Sequence, residues 1–465
     1  MKLLVNGDWI DGNRLIEVRN PYNDEIIDTV PKASVEIVRK AIDIASRYDF
    51  RLTAWERYKI LATFSERLLQ EKTDFARLIA LENGKTLKDA EGEVLRSYQT
   101  FLLSAEEAKR LNGEVLPIDA VEGPGAGWGL VIREPIGVVV AIGPFNYPLN
   151  LIAHKIGPAL AANNPVVIKP ASTTPLTALK MAELLLESGL PPEMISVVPG
   201  DASEIGDELV TNPLVAKISF TGSTPVGKAI CQKAGMTKVC MELGGNDPVI
   251  VLDDADLDKA VPAIVTGAFG NNGERCTSVK RIIAQENIAD DLVERMVIET
   301  RKLKVGDQMD PETDVGPLIT RQAAEEIQER VELSRASGST LLEGGRHEGA
   351  LYWPTVMDNV KPDHLLVKEE TFGPVAPVMR VNTFENAIAM ANDTPYGLQS
   401  GIFTNDLDKA KRAALMIQAG AVMINKASGF RAEHLPFSGR KDSGIGMEGV
   451  KYAVESMSHL KTIVW

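Results

Sequence analysis

Cys276 stands in the stretch GNNGERCTSV, residues 270–279, between Arg275 and the hydroxyls of Thr277 and Ser278. A thiol attacks as its thiolate, and an adjacent guanidinium with polar flanks lowers the cost of that anion, so these residue types suit a nucleophile. The plainer reading is a small buried apolar residue, and Cys231 and Cys240 are taken that way. Upstream, Glu242 lies between VCM and LGG. A carboxylate in that apolar setting, followed by two glycines that permit close backbone approach, suits a tuned general base, with a paired structural carboxylate as the alternative. The segment ISFTGSTPVGKAI sets Gly222, Ser223 and Gly227 at a strand, a turn and a helix start. Backbone N–H groups there suit a phosphate, although the spacing is not GxGxxG and a plain strand–turn–helix remains open. In VVIKPASTTPLTAL, Lys169 leaves the end of an apolar strand and Ser172 comes just before a helix. A lysine there is either merely solvated or stands where an open parallel sheet binds ligands.

These residues need elements to hold them. Two charge-laced stretches, roughly 34–47 and 55–83, repeat apolar residues at three- and four-residue spacing and read as amphipathic helices after a strand-like NPYNDEIIDTV. From IREPIGVVVAIGPFNYPL onward, β-branched runs alternate with helical ones through NPVVIKP, MISVVPG and AKISFTGS. Repeated strand–helix–strand units imply parallel, doubly wound sheets. A second alternation after ELGGNDPVIVLDDAD gives two α/β domains meeting near residue 243.

Bulk properties bound the reading. A chain of 465 residues exceeds one ordinary core. Its formal charge of −14, from 64 acidic and 50 basic residues, argues against nucleic acid or an anionic membrane as partner. The apolar runs are short and broken by Gly and Pro, so no membrane segment is expected. Three cysteines without CxxC spacing fit a reducing cytoplasm, and five scattered histidines without HExxH give no metal site.

Taken together and in order, PFNYPL, KPAS, FTGSTPVG, MELGGNDPVIV, GERCTS, EETFGPV and PFSGRKDSGIG resemble the aldehyde dehydrogenase superfamily over essentially the whole chain. The resemblance implies that Cys276 is the catalytic thiol and Glu242 the general base. It further implies that Asn146 and the Cys276 N–H stabilise the oxyanion. Lys169 and Ser172 would meet the adenosine ribose, Gly222, Ser223 and Gly227 the pyrophosphate side, Glu370 the nicotinamide ribose, with Phe372 beside the ring. The aldehyde would add to the thiolate, lose hydride to leave a thioester, and be released as a free acid by water that Glu242 activates. NAD-preferring members carry a glutamate where Ser172 stands, so NADP is expected to be accepted, with NAD second. Arg96, His154, Arg275 and Arg431 match members that act on small aldehydes carrying an anion, grouped here as phosphonoacetaldehyde, sulfolactaldehyde, glyceraldehyde 3-phosphate, lactaldehyde and succinate semialdehyde. Each arginine could instead be a structural ion pair. The division expected is a cofactor domain of residues 1–110 and 131–243, a catalytic domain of 244–426, an active-site loop of 427–445, and an oligomerisation element of 111–130 and 446–465. That element implies a homodimer or homotetramer, with Trp128 and Trp465 as interface candidates. A non-catalytic member of the same fold is the remaining alternative; a betaine aldehyde's cation is poorly served by Arg275 and Arg431.

Overall fold

The computed structural model describes residues 1–49, 52–123 and 125–464; Trp465 therefore lies outside the described residues. Five parallel strands form the first sheet. In space they run Ile195–Val197, Val166–Lys169, Val138–Ile142, Val215–Thr221, Lys238–Glu242. In chain order that is 3-2-1-4-5, so the winding reverses between Val138–Ile142 and Val215–Thr221, where a crevice opens beyond the strands' carboxyl ends. Antiparallel additions close the two edges, Leu3–Val5 with Asp8–Ile10 on one side and Gly444–Ile445 on the other. These strands read as unbroken apolar runs because helices cover both faces, and Val139, Val140 and Ala141 are fully buried.

The second sheet is ordered Thr340–Glu343, Thr355–Asp358, Val375–Val381, Arg281–Gln285, Pro248–Val251, Gln399–Phe403, Ala421–Ile424. All its pairings are parallel except that of Thr340–Glu343. The doubly wound α/β architecture expected from the strand–helix alternation is thus present. Three antiparallel strands, Glu114–Pro117, Trp128–Pro135 and Ser458–Val464, stand apart as a ribbon.

The helices follow their patterning with one correction. The stretch 55–83 is two helices, Ala54–Gln70 and Lys72–Asn83, because the chain leaves helical geometry at Glu71. The first starts at a capping box in which the Glu56 N–H donates to Thr53 Oγ1 and the Thr53 N–H donates to Glu56 Oε2. The helix Asn150–Ala161 is buried along its whole length. It packs behind the first sheet and carries His154 and Lys155 into the interior.

Candidate active site

A cavity of about 770 Å³ opens at the reversal of the first sheet. Its walls include Asn146, Lys169, Gly222, Ser223, Cys276, Glu370 and Phe372, which come from both sheets and the loops between them. The glycines are explained by contact. A Cβ on Gly222 would lie 2.5 Å from the Phe220 ring, and one on Gly227 would lie 2.2 Å from Leu243, so Gly222 shapes the wall while Gly227 allows helix to meet strand. Gly227 itself does not line the cavity, and neither does Ser172. Ser172 faces an adjoining hollow with Lys32 and Asp201, its Oγ donating to Gly200 O at 3.4 Å.

The Cys276 loop is built from left-handed backbone. Asn271, Asn272 and Gly273 have φ of 55°, 57° and 71°. Only Gly and, at some cost, Asn adopt such a run, which explains the composition of GNNG. Side chains hold it there: Asn272 Nδ2 donates to Gly84 O and Pro317 O, and Asn272 Oδ1 accepts from Gly316 N. Opposite, Gly245 gives room, since a Cβ there would sit 2.4 Å from Cys276 O. The LGG glycines therefore let the end of one sheet approach the nucleophile loop of the other.

Asn146 is buried beside this loop, with Nδ2 donating one hydrogen to Glu274 O at 2.9 Å. The loop bearing Asn146 is fixed by a buried ion pair absent from the sequence reading. Lys85 Nζ lies 2.7 Å from Glu93 Oε2 and donates to Asn146 O at 2.6 Å, while Glu93 Oε1 accepts from the Leu149 and Asn150 N–H groups. Nothing in the local sequence marks Lys85 or Glu93 as buried.

The expectation that Arg275 lowers the thiol's pKa is corrected. Burial pushes Cys276 up to about 12, and the strongest opposing charge is Lys280, not Arg275. The guanidinium of Arg275 turns instead toward the 428–430 loop, where a Cβ on Gly429 would lie 1.7 Å from Nη2. Lys280 is buried, donates to Gly245 O at 3.1 Å and lies 2.6 Å from Glu370 Oε1. It also stands 5.0 Å over the Phe372 ring. Its position four residues after Cys276, at the entry to a buried strand, was the signal available for it.

Glu242 ends the strand Lys238–Glu242, paired in register with Thr221. Its carboxyl is buried, and among the described residues neither oxygen has a hydrogen-bond partner. Burial, reinforced by Glu448, holds its pKa well above the ordinary value, and Arg431 and Lys155 oppose this. Lys155 Nζ donates to Thr221 Oγ1 at 2.6 Å and to Glu448 Oε1 at 3.0 Å. A carboxyl neighbouring a cavity with unspent lone pairs can hold a water and take its proton.

Three of the four cations expected to bind substrate already face carboxylates. Arg96 Nε donates to Glu433 Oε1 at 2.6 Å, His154 Nε2 lies 2.5 Å from Glu433 Oε2, and Arg431 Nη2 donates to Glu448 Oε2 at 3.0 Å. Burial, then Arg431, pushes His154's pKa down, and Glu433 pulls against both. Glu433 stays well below the usual carboxylate range: its own burial is outweighed by His154, Arg96 and Arg431. Among the described residues Arg275 alone of the four makes no ion pair. Glu433, two residues beyond Arg431 in FRAEH, was the missed partner. Of the two remaining cysteines, Cys240 is buried as expected and Cys231 is only half-buried. Among the described residues no group of His, Cys, Asp and Glu is arranged to hold a metal, and no helix is long and apolar enough to cross a membrane.

Residues 9–463 match the sequence pattern of the Aldehyde dehydrogenase family. A 3-sulfolactaldehyde dehydrogenase of Priestia aryabhattai is 42% identical over 99% of this chain and 97% of its own length. A lactaldehyde dehydrogenase of Methanocaldococcus jannaschii is also 42% identical, over 99% of each chain. The crystal structure of an NADP-dependent glyceraldehyde-3-phosphate dehydrogenase from Bacillus halodurans C-125, complexed with NADP, superposes with a TM-score of 0.97 at 40% identity, covering 100% of this chain and 98% of that one. With the Cys276 loop set against the reversed parallel sheet and this likeness along its full length, the chain belongs to the aldehyde dehydrogenase family.

Proposed function

We propose that this protein oxidises a small anionic aldehyde to the free carboxylic acid with NADP, and with NAD as second cofactor. The carrying observation is the meeting of Cys276, Asn146, Lys169, Gly222, Ser223, Glu370 and Phe372 on one cavity. The cavity suits a dinucleotide. Apolar Val210, Val226 and Ile230 share its wall with Gly222, Ser223, Glu370, Phe372 and Cys276. Lys169 and Ser172 would hold the adenosine ribose and Glu370 the nicotinamide ribose. Bound there, the nicotinamide supplies the hydride acceptor that turns the thiohemiacetal into a thioester.

The chain's own residues do the rest. Cys276, as thiolate beside Lys280, adds to the aldehyde carbon. The second Nδ2 hydrogen of Asn146 and the Cys276 N–H, which makes no hydrogen bond among the described residues, receive the oxyanion. Glu242 takes a proton from water, and the hydroxide breaks the thioester and returns the thiol. A glutamate at this place favours hydrolysis over transfer to coenzyme A.

Arg275, the unpaired guanidinium, is the first choice for the substrate's anion, with Arg96 and Arg431 behind it. A second reading has support in the ion pairs of Arg96 and Arg431: a neutral 2-hydroxyaldehyde needs no spare charge, and lactaldehyde, grouped above with anionic aldehydes, carries none. Assays of sulfolactaldehyde, glyceraldehyde 3-phosphate, succinate semialdehyde and lactaldehyde with each cofactor separate the two. The anionic reading expects Arg275→Ala to raise KM for a charged aldehyde by roughly 2 kcal/mol, about thirtyfold, and to leave lactaldehyde unaffected. Equal effects on both would favour the neutral substrate.

A homo-oligomer is part of this reading. The ribbon strand Ser458–Val464 is exposed from His459 onward and has a free edge, and Val115, Trp128, Leu460 and Val464 are 59–67% exposed when Val121 is counted with them. Ala421–Ile424 is likewise an uncovered edge of the second sheet. Two open edges on one chain are suited to pairing between copies.

A further inference from the structure

The hollow beside the main cavity joins Ser172 to groups that none of the assignments above explain. Ser172, Lys32, Asp201, Thr29, Leu15 and Glu17 are in its wall. Three contacts tie successive residues of the 199–201 turn to two other segments. The Ala33 N–H donates to Pro199 O at 2.7 Å, Ser172 Oγ to Gly200 O at 3.4 Å, and Lys32 Nζ to Asp201 Oδ2 at 2.8 Å. Gly200 is what lets these segments meet, since a Cβ there would lie 3.2 Å from Ala33 O and 2.8 Å from Ile205 Cδ1. Lys32 is therefore held against the turn that faces Ser172, although 140 residues separate the two in sequence.

Asp201 is the difficulty in reading Lys169 and Ser172 as a 2′-phosphate site. It is the one charged group that raises the pKa of Lys169, which is otherwise lowered by burial, so its carboxylate lies close enough to act on that ammonium. A carboxylate beside the adenosine ribose repels a phosphate there, the device by which an acidic residue selects NAD. The other acids around this hollow are already matched, Glu17 to Arg19 and Glu204 to Arg14. Asp201 is matched by Lys32, and the pair is part-exposed, with side chains 27% and 44% accessible.

We propose that Lys32 is a specificity-determining residue for the cofactor: by neutralising Asp201 it permits a 2′-phosphate at Lys169 and Ser172, and the Lys32–Asp201 pair sets the balance between NADP and NAD. The inference rests on reading the main cavity as the dinucleotide site. It gives Asp201 two roles according to its partner. Paired with Lys32 it is silent toward a phosphate; unpaired it becomes the acid that favours a ribose hydroxyl.

The test isolates the phosphate from the chemistry. Binding of 2′,5′-ADP and of 5′-AMP is measured by calorimetry on the full chain, for the parent and for Lys32→Met, Asp201→Asn and the double variant. Lys32→Met is expected to weaken 2′,5′-ADP about tenfold, the scale of one part-exposed charge, and to change 5′-AMP less than about twofold. Asp201→Asn in the Lys32→Met background is expected to restore 2′,5′-ADP binding, because no carboxylate remains to be cancelled. Lys32→Arg, which keeps the charge, should bind both as the parent does and controls for folding. Equal losses of both nucleotides in Lys32→Met, no loss of either, or failure of Asp201→Asn to restore binding would overturn the proposal. Failure of the parent reading is separately visible, as absence of aldehyde-dependent reduction of either cofactor by the parent chain.

Discussion

At the scale of residues, the chemistry turns on groups that burial has pushed away from their ordinary ionisation. The neighbours of Cys276 point to Arg275 as the activating charge, but adjacency in sequence does not aim a side chain. Arg275 folds back on Gly429 while Lys280, four residues away, acts on the thiol. Without cofactor, alkylation of Cys276 by iodoacetamide should climb steadily from pH 7 to 10 with no plateau, as befits a thiol raised to about 12. Lys280→Met removes a charge that favours the thiolate and leaves Glu370 uncancelled. It should slow alkylation at pH 8 roughly three- to tenfold, about half to one pKa unit; an unchanged rate would remove Lys280 from the site's electrostatics. Glu274 supplies a stability prediction. Burial raises its pKa from 4.5 to about 8, against the Ile319 N–H and Lys85. The folded chain thus binds this proton more tightly than the unfolded chain does, so its contribution is complete below about pH 4.5 and lost as pH rises to 8. Glu274→Gln keeps an acceptor for Ile319 without the titration, and should raise Tm more at pH 8 than at pH 5. Scanning calorimetry at the two pH values checks this; equal shifts would contradict it.

At the scale of elements, strands and their order of winding could be read because sheets covered on both faces demand unbroken apolar runs such as VVVAI and PVIV. The amphipathic helices were legible from their period, whereas the break at Glu71 was not, since Gln70–Glu71–Lys72 carries neither Gly nor Pro. The three successive left-handed residues of the GNNG loop, pinned by Asn272, carry no periodic signal of that kind. That pinning carries a prediction. Asn272→Ala removes donors to Gly84 and Pro317 and an acceptor for Gly316 N, and replaces a residue tolerant of positive φ. A cost of about 2–4 kcal/mol in stability follows from buried groups left unpaired plus backbone strain. Activity per folded molecule should fall further, because Cys276 rides on this loop. Retained activity and unchanged urea unfolding would show the loop to be held by other means.

At the scale of the molecule, what the sequence concealed is the set of contacts spanning it. Arg96 meets Glu433 across 337 residues and Lys155 meets Glu448 across 293. Only the fold brings such charges together, and no local pattern distinguishes them from solvated ones. The proposed assembly between copies would use the exposed ribbon and the open edge at Ala421–Ile424. Light scattering at micromolar concentration should give a dimer or tetramer, and replacing Leu460 and Val464 by lysine should shift it toward monomer. A monomeric parent would refute that reading. The proposed catalytic cycle is also a property of the whole, because Glu242 ends a strand of the first sheet while Cys276 belongs to a loop leading into the second. Its most direct test is Glu242→Gln incubated with NADP and an aldehyde that the parent chain oxidises, followed by NADPH absorbance and intact-mass spectrometry. The expected result is one equivalent of NADPH per chain, then arrest, with the acyl group attached at Cys276. Sustained multiple turnover at the parental rate, or a burst with no adduct on Cys276, would contradict the thioester mechanism.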